Sequence, residues 1–270
     1  MHVNAVAFAC SYFLHCDAGC TDSSAAIADL INFAFSVSGI SCAQKFERRL
    51  AQSGGSANVE LGVACYNALA NRAALNCSYF DGMLKLLSDI TKSGGANFIT
   101  SAVEQQILDQ WAETPQGSEV APFLTEILGA RPGCVKGPEH FAYIAKKIGH
   151  HKIYYVADAR FEIETGRGYA EEFDIVPIGF AHRITGAHVL EACSLLHESL
   201  SQQSQVGPPD KVSALLKALP VIDAAKLALP DDASLLRELS DSGAEVVVTG
   251  SAREITKHLR ATLVEFQTLS

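Results

Sequence analysis

The chain has 270 residues, a length that fits one large α/β domain or a core with a smaller inserted domain. Hydrophobic residues make up 48% of the chain and charged residues 19%, values that exclude a globally disordered protein. The formal net charge of -9 gives no electrostatic support for non-specific binding to nucleic acid, so no nucleic-acid partner is expected.

The sequence indicates neither a membrane protein nor a disulfide scaffold. The apolar run at residues 3–14 is too short to span a bilayer, and we interpret it as a buried strand. Eight cysteines are scattered through a chain that is too large to need disulfide staples. We therefore expect reduced thiols, a cytoplasmic location and no membrane partner.

Short apolar runs bounded by glycine, polar or charged residues predict strands. They lie at residues 3–14, 96–100, 153–157, 175–180 and 245–249. Helical patterns separate these runs. Such alternation predicts an α/β fold, in which helices cover both faces of a mainly parallel sheet.

A long stretch near the amino terminus contains helical patterns and no strand signal. Helices are predicted at residues 23–38, 42–52 and 59–75. We therefore expect an all-helical insert at residues 23–78, and a discontinuous core made of residues 1–22 and 79–270. The apolar residues of 64–75 are compatible with a surface that pairs two copies into a homodimer, and equally with ordinary core packing.

Four further features are expected at the surface of the protein. Residues 201–232 are interrupted by prolines and are interpreted as an excursion from the core. His140, in the first turn of a predicted helix, is expected to be a surface residue. His182 and His188, after a predicted strand, are also expected at the surface, with a position bordering the site as the alternative.

Four segments with polar or glycine-rich ends follow one another along the chain. A predicted strand ends at Thr100-Ser101, and a Val-Lys-Gly-Pro segment containing Lys136 precedes a helix. Another strand ends at Asp158, and Glu162 follows four residues later. The fourth segment, Gly243-Ala244-Glu245, leads into the last apolar run.

In their order and spacing, these segments resemble the haloacid-dehalogenase-like (HAD) phosphatases that have a helical cap. The resemblance covers nearly the whole chain, apart from the excursion after Phe180. It implies a three-layer Rossmann-like core with a parallel sheet, into which residues 23–78 are inserted as an all-helical cap. It also implies a small phosphorylated metabolite as the partner and Mg²⁺ as the cofactor.

The first motif of this family departs from its usual pattern here. Family members have two aspartates separated by one residue: the first forms an aspartyl-phosphate and the second acts as acid and base. In one alignment Ala9 and Ser11 occupy these positions. In the other, which fits the spacing to the cap helix and is favoured, His15 stands at the nucleophile position and Asp17 at the acid/base position. Under either alignment the nucleophilic aspartate is missing.

The other motifs imply roles for five residues. Ser101, with Thr100 as the alternative, would donate a hydrogen bond to the phosphoryl group. Lys136 would neutralise the charge that develops during the reaction. Asp158 would bind Mg²⁺ through a hard oxygen ligand, supported by Glu162.

Each of these motifs also has a purely structural interpretation. Ser101 before Glu104 is a capping-box pattern, so the serine would cap a helix at residues 103–111. Lys136 would be an exposed loop lysine, and Asp158 would cap the helix that follows it. The phosphate-site and capping roles are compatible, because helix N-termini attract anions.

Three functions follow from the resemblance and from its failure in the first motif. The first is a HAD-like hydrolase that acts on a small phosphorylated metabolite, with Asp17, His15 and Lys136 as catalytic residues. The second is a catalytically retired HAD-fold protein with a binding or regulatory role. The third is a lyase or isomerase reaction on the same scaffold, since fold does not determine chemistry.

Overall fold

The computed structural model describes residues 2–16, 22–37, 40–54, 58–74, 79–149, 151–182, 184–202, 207–255 and 257–259. The helices are α1 (His2–His15), α2 (Ser23–Ser36), α3 (Cys42–Ser53), α4 (Val59–Ala74), α5 (Met83–Lys92), α6 (Gln105–Ala112), α7 (Pro115–Val120), α8 (Pro138–Ile148), α9 (Arg160–Gly168), α10 (Ala170–Phe173), α11 (Gly186–Ser201), α12 (Pro209–Ala218) and α13 (Asp232–Asp241). The strands are β1 (Phe98–Glu104), β2 (Glu126–Ala130), β3 (Ile153–Ala157), β4 (Ile175–Ala181) and β5 (Val246–Thr249).

The chain forms two compact units and passes between them three times. The helical unit consists of Met1–Cys77 and Ile184–Pro230, and the α/β unit consists of Ser78–Arg183 and Asp231–Ser270. The strands in the described part of the chain all belong to the α/β unit, and each of their pairings is parallel. The expected α/β class is therefore confirmed, although the two units do not follow the boundaries expected from the sequence.

The predicted first strand is wrong, because residues 3–14 lie within the helix α1 in the helical unit. Every side chain from residue 5 to residue 14 is buried, so the helix is covered on all sides. A helix buried all round has no amphipathic periodicity, and its apolar run cannot be distinguished by pattern from a buried strand. Its length of 14 residues is long for a strand and ordinary for a helix.

Aromatic side chains around Phe8 of α1 form the centre of the helical unit. The ring of Phe8 contacts Phe46 edge-on, with centroids 5.2 Å apart, and lies 5.8 Å from the ring of Phe33. Phe8 and Phe46 are fully buried, and burial of such a side chain contributes roughly 1.5–3 kcal/mol. Because these rings come from α1, α2 and α3, they join three helices into one core.

The three helices predicted for residues 23–75 are present as α2, α3 and α4. Asp22 caps α2 by accepting hydrogen bonds from the backbone N–H groups of Ser24 and Ala25. Ser41 and Gln44 form a reciprocal capping box at the start of α3. These caps satisfy backbone donors that would otherwise have no partner in the first helical turn.

The region expected to be a surface excursion instead contributes to the core of the helical unit. Leu215 of α12 is fully buried, and Leu219, Ile222 and Leu227 pack in the same cluster. Prolines end helices without removing the segment from the core, which is why their presence was a misleading signal. The apolar side of α4 is also packed inside this unit, with Leu69 among the fully buried residues.

The α/β unit contains two parallel sheets. In the first sheet β1 pairs with β2, and the regular register ends where Thr100 lies opposite Leu128. In the second sheet the order is β3-β4-β5, with Ala157 opposite Gly179 and Ala181 opposite Thr249. Parallel alignment brings the carboxyl ends of paired strands to one edge, where polar residues that follow the strands can meet.

Helices pack on both faces of the three-stranded sheet. On one face Ile153, Tyr155 and Ala157 of β3 contact a cluster that includes Phe141 of α8 and Ile163 of α9. On the other face Ile178 and Phe180 of β4 pack in a cluster with Leu86 of α5 and with Ala252 and Ile255. Among the residues that the structure describes, no helix is both long enough and apolar enough to cross a membrane.

Candidate phosphate and metal site

The strand β3 delivers Asp158 to the candidate site. Its buried residues, Ile153, Tyr155 and Ala157, alternate with the more exposed Tyr154 and Val156, and Asp158 comes directly after the last strand residue. About a third of the Asp158 side chain is exposed, so the carboxylate can reach solvent. The strand predicted here at residues 153–157 is confirmed residue for residue.

Lys136 reaches this region from the loop between β2 and α8. Its ammonium group forms an ion pair and a hydrogen bond with Oε1 of Glu162 on α9. Both side chains are more than three-quarters buried. The next residue, Gly137, has φ of 120° and ψ of -133°, a conformation that only glycine adopts readily. The extra glycine therefore sets the direction in which the chain turns from Lys136 into α8.

Tyr155 lies near Thr100 and near the two acidic residues. Burial raises the pKa of Tyr155, as do the nearby charges of Glu162 and Asp158, while the Thr100 side chain acts in the opposite direction. The Tyr155 side chain therefore marks the place where β1, β3 and α9 meet.

Asp158 has a second neighbour in His182, which follows β4. The Nδ1 atom of His182 lies 3.6 Å from Oδ2 of Asp158. His182 is only 4% exposed, so the expectation of a surface histidine is wrong. Its ring lies against Phe80, with centroids 4.6 Å apart, and against Phe180, with centroids 5.9 Å apart. Burial of the histidine follows from this aromatic packing, which the sequence pattern does not reveal.

Ser101 makes a local contact and does not form the predicted capping box. Its Oγ atom accepts a hydrogen bond from the backbone N–H of Val103 at 3.1 Å. The expected helix start is wrong because β1 continues to Glu104 and α6 begins at Gln105. Of the two hydroxyl residues expected to bind phosphate, Thr100 is the one that lies near enough to Tyr155 to affect its pKa.

His140 is buried, contrary to the surface position expected for it. Its Nε2–H donates a hydrogen bond to the carbonyl oxygen of Gly129, at 3.2 Å, and so ties the first turn of α8 to β2. Burial lowers the pKa of His140. The histidine therefore stabilises the packing of α8 on β2.

The residues proposed for the first motif belong to another part of the molecule or lie outside the described residues. His15 is the last residue of α1, in the helical unit, and Asp17 lies outside the described residues. Ala9 and Ser11 are buried in α1, where the hydroxyl of Ser11 donates to the carbonyl of Gly62. The alignment that placed Ala9 and Ser11 at a strand end is therefore wrong.

Asp158 and Glu162 are the carboxylates that suit a divalent cation at this site. Both are partly exposed and both lie close enough to Tyr155 to affect its pKa. Within the described part of the chain, no group of three or more His, Cys, Asp or Glu residues has the geometry to hold a metal ion. Two carboxylates fit Mg²⁺ nevertheless, because this ion retains several waters and takes only one or two protein carboxylates in many phosphate sites.

No protein-family model matches the chain, and no curated protein or solved structure matches it. The resemblance to the HAD phosphatases therefore depends on the motifs alone. Two residues near Asp158 were not assigned a role in the site: Tyr155, and His182, for which a position bordering the site was only the alternative to a surface position. In sequence, Tyr155 looks like any buried strand residue. The only signal that could have identified His182 is its position directly after β4.

Proposed function

We propose that the chain is a HAD-like hydrolase that acts on a small phosphorylated metabolite. One observation supports this above the others: Lys136 forms an ion pair with Glu162, and Thr100, Asp158 and Glu162 all lie near enough to Tyr155 to affect its pKa. These residues come from three separate segments of the sequence. A hydroxyl donor, a cation and two carboxylates are the groups that a magnesium-dependent phosphoryl site requires.

Each residue has a separate proposed task. Lys136 would form a charge-assisted hydrogen bond with a phosphoryl oxygen, in exchange for part of its contact with Glu162. Thr100 would donate its hydroxyl hydrogen to a second phosphoryl oxygen. The net charge of -9 makes a local cation necessary for binding an anion, and Lys136 supplies one.

Asp158 and Glu162 would hold Mg²⁺, which when bound neutralises charge on phosphoryl oxygens and orients them. The resemblance assigns the acid/base role to Asp17 and the nucleophile position to His15. Because His15 ends the helix α1 of the helical unit and Asp17 lies outside the described residues, we do not place them in the phosphate site. The full architecture that we propose is a three-layer Rossmann-like core with an inserted helical cap. Parallel strand pairing and helices on both faces of the three-stranded sheet support it.

A hydrolysis screen tests the proposal. Sugar phosphates and nucleotides are incubated with the protein in the presence of magnesium, and the release of inorganic phosphate is measured. We expect release with at least one substrate, and a loss of this activity in the Lys136→Ala variant. The control is Lys147→Ala. Lys147 is an exposed lysine of α8, the helix that follows the Lys136 loop, and it is paired with Glu126 of β2. If no substrate is hydrolysed faster by the wild-type protein than by Lys136→Ala, the hydrolase proposal is wrong.

A second candidate function is a catalytically retired HAD-fold protein that binds a phosphorylated ligand without turnover. The specific observation in its favour is that residues 3–14, expected to form the strand that ends at the nucleophile, are the helix α1. This candidate predicts that inorganic phosphate or vanadate, with magnesium, raises the melting temperature while no phosphate ester is consumed. Turnover of any ester that also stabilises the protein would exclude it.

A further inference from the structure

His182 is held in one orientation by its surroundings. Its ring lies against Phe80 from the segment before α5 and against Phe180, two residues earlier along β4. The backbone N–H of His182 also donates to the carbonyl of Phe180, at 3.1 Å, so the main chain is restrained as well. A buried ring packed on aromatic neighbours has few alternative rotamers.

This orientation directs one ring nitrogen at the candidate metal ligand. Nδ1 of His182 is 3.6 Å from Oδ2 of Asp158, slightly longer than a hydrogen bond. Contacts of this kind in a ligand-free site are often long and shorten when the ligand binds. The Asp158 carboxylate is partly exposed, whereas the histidine is not, so the histidine is the fixed partner and the carboxylate the adjustable one.

We propose that His182 is a positioning residue for Asp158: its Nδ1–H donates to Oδ2 and holds the carboxylate in the orientation that a divalent cation requires. This inference deepens the proposed function and rests on it. Carboxylates that bind metals are commonly oriented by hydrogen bonds from neighbouring side chains, and loss of such a partner lowers metal affinity about 10–100-fold.

Two substitutions separate positioning from simple packing. His182→Phe keeps a ring of similar shape between Phe80 and Phe180 but has no nitrogen to donate. His182→Asn keeps a nitrogen donor near the position of Nδ1 but loses the ring. Binding of Mg²⁺ is measured by isothermal titration calorimetry, and the melting temperature of each variant is measured without metal.

If His182 positions Asp158, His182→Phe keeps a near-wild-type melting temperature and loses Mg²⁺ affinity by about 10–100-fold. His182→Asn then melts at a lower temperature but retains more of the Mg²⁺ affinity than His182→Phe does. If His182 has only a packing role, the ranking is reversed: His182→Phe, the variant with the higher melting temperature, also binds Mg²⁺ more tightly than His182→Asn. Mg²⁺ affinity in His182→Phe equal to that of the wild type overturns the inference.

The Asp158→Asn variant distinguishes failure of the His182 positioning role from failure of the proposed metal site. Wild-type binding of Mg²⁺ that is abolished in Asp158→Asn supports the site, and the His182 variants then decide the positioning role. Binding that is unchanged in Asp158→Asn overturns both the metal role of Asp158 and the inference. Absence of Mg²⁺ binding in the wild-type protein has the same consequence.

Discussion

The ammonium group of Lys136 binds the carboxylate of Glu162, although 26 residues separate them along the chain. The lysine belongs to the loop before α8 and the glutamate to the first turn of α9, so the ion pair links the two elements that flank β3. Both side chains are largely buried, which makes this pair less screened by solvent than an ordinary surface ion pair. Glu162 therefore holds the Lys136 ammonium group at the place where a phosphate is proposed to bind.

A double-mutant cycle on Lys136 and Glu162 measures how strongly they interact. Lys136→Ala leaves the largely buried Glu162 carboxylate without its cation, and we expect it to lower the free energy of unfolding by about 1–3 kcal/mol. The coupling energy with Glu162→Ala, obtained from urea unfolding, should be about 1 kcal/mol. A coupling energy of zero would mean that the contact contributes nothing to the fold.

Gly166 on α9 is expected to tolerate no side chain, because the Tyr155 ring lies against it. A Cβ atom at residue 166 would come within 2.9 Å of Cδ1 of Tyr155. We expect Gly166→Ala to destabilise the protein by about 1–3 kcal/mol, because the Tyr155 ring has to move.

Gly168 provides the matched control on the same helix. A Cβ atom there would have no atom within 4 Å, so Gly168→Ala should be neutral or slightly stabilising. Thermal melts of the two variants compare a crowded glycine with an open one. Equal melting temperatures for the two variants would contradict the close packing of Tyr155 on α9.

Stability should depend on pH through His140. Burial lowers the pKa of His140, and the charges of Lys136 and Arg131 act in the same direction, against the hydrogen bond to the carbonyl of Gly129. Below pH about 6.5 the unfolded chain binds a proton that folded His140 does not take up until its lower pKa is reached. The free energy of unfolding therefore falls as the pH is lowered through this window, by at most about 1.4 kcal/mol per pH unit from this group.

The measurement is a series of urea denaturations at pH values from neutral to mildly acidic. His140→Asn removes the titrating group, so the variant should lose less stability over this window than the wild type does. Parallel curves for the two proteins would show that His140 does not titrate differently in the folded and unfolded states.

The thiols of the helical unit should be unreactive in the native protein. Burial raises the pKa of Cys42 to about 12, of Cys65 to about 11 and of Cys193 to about 12, and it also raises the pKa of Cys10. Since the thiolate is the reactive form, iodoacetamide at mildly alkaline pH should modify these residues slowly. Peptide mass spectrometry after labelling, with and without urea, measures this directly. Rapid modification of Cys10 in the native state would show that α1 is not buried.

Much of the secondary structure could be predicted because its signals are local. The helices α2, α3 and α4 have amphipathic periodicity, and β3 is a short apolar run bounded by polar residues. The helix α1 could not be identified, since burial on all sides removes the periodicity by which helices are recognised. The strand β2 has only five residues and includes a glycine, and it was not predicted.

The candidate site was predicted in part, because motifs identify residue types and not their contacts. Lys136, Asp158 and Glu162 stand at positions where a family pattern could be matched. The proximity of Tyr155 and Thr100 depends on where β1 and β3 lie in three dimensions, and no local pattern encodes that. The burial of His182 depends in the same way on Phe80, which is distant in sequence.

Binding of inorganic phosphate by isothermal titration calorimetry, in excess magnesium, tests most directly whether Lys136 and its neighbours form an anion site. We predict measurable binding by the wild-type protein and a loss of affinity of about 10–100-fold in Lys136→Ala, the range expected for a hydrogen bond to a charged group. Lys147→Ala has the same net charge as Lys136→Ala and should bind phosphate as the wild type does. Equal phosphate affinity in the wild-type protein and Lys136→Ala would contradict the proposed site.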